Sequence, residues 1–151
     1  MNSLADIERL LRFGNWRLRR VETTLLCLRQ RRVQLLHELS ALDEQEASLR
    51  ALLDSHRAED RVFDHGQLLG MLRRQAVIRR QIQQMALERQ PLTEQRAELD
   101  QQVRQRQQEL ERLQRKQSKY TAVRQRLGRE LRLQRLRRDE GEVDERMGVT
   151  R

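Results

Sequence analysis

Little in this chain could fill a wide globular core. It has one proline, one cysteine and six glycines, and aromatic residues make up only 3% of it. No stretch approaches the roughly 18 uninterrupted apolar residues that a membrane span requires, so no membrane span is expected. The first residues lack the charged-then-apolar plan of an export signal, which leaves no expected route through a general secretion pathway. A lone thiol, Cys27, has no internal disulfide partner, as suits a reducing compartment. It falls beside the apolar stripe described below, with no paired His or Asp at helical spacing to activate it. Glycine-rich phosphate loops are absent, as is any clustered His/Cys/Glu set, so neither an enzyme nor a cofactor is expected. Acids such as Asp43, Glu44 and Glu46 lie close together, but a thin helical structure offers them no cleft.

What the chain does have is charge and leucine. Charged residues make up 36% of it and apolar residues 36%, with a mean hydropathy of −0.94. That mixture suits long helices buried along a narrow seam. In alternating steps of three and four, one seam runs Leu4, Ile7, Leu11, Gly14, Leu18, Val21, Leu25, Leu28, Arg32, Leu35, Leu39, Leu42, Glu46, Leu49, Leu53. Only Gly14, Arg32 and Glu46 interrupt it, and the frame never slips. A strict seven-residue repeat stays on one side of a helix only if that helix coils around a partner. Ser3, with Asp6 three residues later, offers an N-cap, and a helix from there to about residue 56 would be about 80 Å long. Gly14 should cost about 1 kcal/mol relative to Ala and leave a gap in the seam. Phe13 and Trp16 sit off the seam beside it. Either they cap a loosened seam, or they form an exposed apolar spot for a partner.

The stretch from His56 to Gly66 breaks the pattern. Asp64 followed by Gln67 makes a capping box, placing the next helix start near His65. His56, Asp60, Asp64 and His65 match no metal-ligand spacing, and solvated turn residues account for them. Val62, Phe63, Leu68, Leu69, Met71 and Leu72 crowd apolar groups around this tip. A second seam follows through Met71, Ile78, Ile82, Met85, Leu92, Leu99, Val103, Leu110, Leu113, Tyr120, Leu127 and Leu131. Gln75, Arg89, Arg96, Arg106, Gln117 and Arg124 fill the remaining positions, as weak layers whose polar groups set register.

The expected fold is all-α: two long helices forming an antiparallel coiled-coil hairpin, the second longer. Pro91, inside the second helix, is expected to kink or soften it, with a break there as the structural alternative. One elongated domain over 1–151 is expected, with helix 1 at about 4–56, a tip at 57–66, helix 2 at about 67–140 and a frayed acidic tail at 141–151. A tight reversal sets Leu53 against Met71, Leu25 against Leu99 and Leu4 against Tyr120. Everything after Tyr120 is then left without a partner in the chain, and a lone helix of that length is marginal in water.

Charge concentrates at the same end. Residues 112–138 carry eleven Lys and Arg against Glu130 alone, and Asp139–Met147 hold five acids and one Arg. Arg9, Arg12, Arg17, Arg19 and Arg20 of the first helix lie beside that basic stretch in a hairpin. Such an end is drawn to acidic surfaces.

The run Arg115-Lys-Gln-Ser-Lys-Tyr120, the basic residues after it and the stretch from Arg138 to Glu145 resemble the C-terminal part of type III secretion stalk proteins. These are the YscO-like proteins (SctO) and their flagellar counterpart FliJ. Size, hairpin and apolar tip also match, although the long first seam and Pro91 depart from the pattern. The resemblance implies a non-catalytic stalk in the bacterial cytoplasm, peripheral to the inner-membrane export apparatus. It would link a hexameric secretion ATPase to the cytosolic ring of the export gate, with chaperone handling as a further activity. On that likeness Arg12, Arg19, Tyr120, Arg124, Leu127, Arg129, Leu131, Arg132 and Arg135 would meet the ATPase ring. Val62, Phe63, Leu68, Leu69, Met71 and Leu72 would meet the gate.

Two other classes compete. A sequence pI near 11.2 suggests nucleic acid. Against it, a basic-zipper protein places its basic helix before the zipper in a parallel dimer, and few aromatics exist here to stack bases. The third class is a coiled-coil scaffold. It should self-associate through its seam, whereas a hairpin satisfies its own seam as a monomer.

Overall fold

The structure is a computed structural model and describes residues 4–55 and 62–149. Two helices account for nearly all of them: α1, Leu4–Ser55, and α2, His65–Val149, with no strand among the described residues. The architecture is an all-α helical hairpin. By its contacts the chain groups into two compact units, each containing a stretch of both helices: Met1–Leu25 with Gln105–Arg151, and Leu26–Arg104.

The leucine seam organises both. Every seam position of α1 from Leu4 to Leu53 is buried or half-buried, including the polar Arg32 and Glu46, while nearly all the intervening positions face solvent. In the first unit, Val21, Leu110 and Leu113 form the tightest cluster, with Leu18 packed against it. In the second, Leu35, Leu39, Met71, Ile78, Met85, Leu99 and Val103 are buried. Among the described residues no side chain is completely enclosed, as expected of two helices sharing one thin stripe.

Helix α2 begins as its sequence dictates. Gln67 N donates to Asp64 Oδ1 at 2.6 Å, and Asp64 N donates back to Gln67 Oε1 at 3.3 Å. Both amides would otherwise lack a partner at the helix start. The Ser3 cap lies outside the described residues, as do His56 and Asp60. Pro91 does not break α2, which is helical on both sides of it. It lies on the exposed face, where water can serve the carbonyl that its missing N–H leaves open. The acidic stretch expected to fray also remains helical, to Val149.

Register differs from the sequence-based expectation. Arg124 pairs with Glu8, Gln117 with Asn15, Arg32 with Asp100 and Arg89 with Glu46. Relative to a tight reversal, α2 is displaced by about two helical turns. At the tip, Ser55 lines a cavity together with Phe63, Gln67, Gly70, Met71 and Arg74. Hydrophobic periodicity fixes which face of each helix is buried. It does not distinguish registers that differ by whole turns.

Candidate docking surfaces

Gly14 is a contact rather than a gap. A Cβ there would collide with Oε1 of Gln117, the polar residue at the facing seam position. Because glycine leaves room, the Gln117 side chain lies over α1 and donates from Nε2 to Leu11 O at 3.0 Å and to Asn15 Oδ1 at 2.7 Å. In the second unit, Arg89 occupies a seam position and spans to Asp43 and Glu46, 2.6 Å from Glu46 Oε2. Arg50 holds the other Glu46 oxygen at 3.0 Å. Hydrogen bonds from Arg89 first, then Arg50, pull the Glu46 carboxyl below its ordinary range despite partial desolvation. The same bond to Glu46 raises Arg89, whose buried Nε has no hydrogen-bond partner.

The first unit carries the basic surface. Tyr120 and Leu127 are half-buried, and Arg124 is 3.8 Å from Glu8, so pairing with α1 reaches well past Tyr120. A groove lined by Leu4, Glu8, Arg124, Gly128, Leu131 and Arg132 marks its end. Beyond it every residue from Arg129 to Gly148 is exposed, including Leu131, Leu133 and Leu136. Of the basic residues singled out from the sequence, Arg12, Arg19, Arg124, Arg129, Arg132 and Arg135 are all exposed.

The structure also decides between the two readings of Phe13 and Trp16. They are 57% and 56% exposed and stacked on each other with centroids 6.1 Å apart. The Arg17 guanidinium lies 5.9 Å from the Phe13 ring centre and that of Arg20 5.3 Å from Trp16. Cations over ring faces hold the pair as a surface feature; it does not cap the seam.

In the second unit the tip separates into two sets. Val62, Leu68, Leu69 and Leu72 are exposed, and Phe63 is half-buried. Met71, expected among the contact residues, is buried in the seam and offers no side chain to a partner. Cys27 is exposed. No group of His, Cys, Asp and Glu suited to a metal occurs among the described residues.

These surfaces belong to a helical hairpin, and comparison with known proteins gives them a setting. A family model described as Salmonella surface presentation of antigen gene type M protein matches residues 5–147. The chain belongs to this family. It is a YscO-like type III secretion family, so the protein is associated with type III secretion. Searches of the curated proteins and of the solved structures gave no match. Family members are structural proteins of the secretion system rather than known catalysts. No helix among the described residues is long and apolar enough to cross a membrane.

Proposed function

We propose that the protein is a non-catalytic central stalk of the secretion apparatus, coupling its hexameric ATPase to the cytosolic ring of the export gate. The supporting observation is the exposed, strongly basic stretch of α2 that continues past its pairing with α1, in a chain of a type III secretion family. A helix kept unpaired, with apolar groups among its arginines, suits a socket with acidic walls and an apolar lining. Arg124, Leu127, Arg129, Leu131, Arg132 and Arg135 form that contact, with Arg12 and Arg19 contributing from α1. At the tip, Val62, Phe63, Leu68, Leu69 and Leu72 serve the export gate. In this reading residues 1–151 work as a single domain at the cytoplasmic side of the export apparatus, and secretion chaperones are further partners. The seam is satisfied within the chain, so no second copy is needed to complete it.

The test is the turnover of the cognate ATPase with the wild-type chain and with Leu127→Asp/Leu131→Asp. Stimulation of turnover by wild type and about tenfold weaker binding of the variant are expected. Equal behaviour of the two proteins would remove this end as the docking site.

A further inference from the structure

Past Leu131 the apolar residues of α2 change sides. Leu133, Leu136, Val143 and Met147 fall at heptad spacing, with Glu140 filling the remaining position. At about 100° per residue they form a line on the side of the helix opposite Leu127 and Leu131. The seam face therefore ends where α1 ends, and a second stripe begins on the far side. Leu133 is 54% exposed, Leu136 57%, Val143 50% and Met147 63%. A stripe at this spacing suits a partner helix, and a lone helix carrying it is marginal in water.

The charges beside the stripe indicate which partner. Its first half is basic and its second half acidic: Arg132 and Arg137 flank Leu133 and Leu136, whereas Asp139 and Asp144 flank Glu140 and Val143. Among the described residues, none of these four is in an ion pair. Two such helices side by side in the same direction would set arginine against arginine. Run in opposite directions, each basic half meets the other copy's acidic half. Arg137 and Asp144, one heptad apart on the same flank, can then form the same ion pair twice about a two-fold axis.

We propose that the 133–147 stripe is a self-association surface, on which two copies of this chain pair antiparallel through their exposed α2 ends. The surface is distinct from the leucine seam, which each copy has already satisfied with its own α1. A short interface with few apolar layers gives weak, concentration-dependent pairing that low salt favours.

Sedimentation equilibrium of the full chain at low salt, from micromolar to submillimolar concentration, tests the proposal. Wild type should pass from a mass near 18.3 kDa to twice that value. Arg137→Asp should raise the dissociation constant about tenfold or more by setting like charges together, and Arg137→Asp/Asp144→Arg should restore it. Leu133→Ser/Leu136→Ser, exposed positions whose change spares the seam, should stay monomeric with unaltered helicity. The proposal is overturned if wild type remains a monomer throughout, if the charge swap does not restore pairing, or if the serine variant still pairs. Pairing by the serine variant would place the contact elsewhere, and a wild-type monomer would leave the stripe to a different protein.

Discussion

At the scale of single residues, two polar layers show how a seam accommodates groups that do not match its pattern. Gly14 and Gln117 act together: one leaves space and the other uses it for two hydrogen bonds. Gly14→Ala gains about 1 kcal/mol of helix propensity yet displaces Gln117, losing about as much in hydrogen bonding, so by itself it should change stability little. In a Gln117→Ala background the same change should stabilise by about 1 kcal/mol, and denaturant melts of the four proteins in the cycle measure the coupling. Glu46 has a pH signature. Its carboxyl titrates lower when folded than when unfolded, so its contribution is complete above the ordinary glutamate range and is lost as pH falls through the folded value. The melting-temperature difference between wild type and Glu46→Gln should be greatest near neutrality and close as pH falls below that range. A difference independent of pH would mean that the Glu46 charge does not matter.

At the scale of elements, the two helices differ in what keeps them formed. Much of α1 is tied down by a nearly continuous apolar seam, whereas α2 depends on isolated layers such as Leu110 and Leu113. Leu113 is 3% exposed beside Val21 and Leu110, so Leu113→Ala should cost about 2–4 kcal/mol in a chemical denaturation curve. Pro91 lies exposed in a helix that passes through it, so Pro91→Ala should stabilise by about 2–3 kcal/mol on the same curve. Sequence alone discloses the elements well. The positions from Leu4 to Leu53 come from periodicity, and the start of α2 comes from Asp64 and Gln67. Register escapes it because apolar residues recur along both seams, so sliding one helix by whole turns leaves the same faces buried. The choice rests on Arg32 with Asp100 and Glu46 with Arg89, pairs separated too far in sequence to be recognised beforehand. Gly14 is misread for the same reason, since its partner is 103 residues away in the chain.

At the scale of the whole molecule, its candidate contacts fall in two units with different chemistry, one basic and one apolar. Phe63→Ala with Leu68→Ala should weaken binding to the export gate while leaving ATPase binding intact, as paired pull-downs would show. Loss of both interactions together would mean that the two surfaces do not act independently. The basic surface is readable from the density of arginine between 112 and 138, and its apolar tip from residues 62–72. The sequence puts Met71 both at the tip and at the head of the second seam, and its burial shows which of the two it serves. The exposure of Phe13 and Trp16 also needed the structure, since either side of α1 could have taken them.

The exposed end of α2 has a last consequence for the backbone itself. Its amide protons lack a neighbouring helix to slow their opening, so those of residues 129–148 should trade with deuterium far sooner than those around Val21 and Leu113. That contrast gives the chain an internal clock. Whatever seats on this end, a ring or a second copy, should slow the fast set while leaving the slow set unchanged.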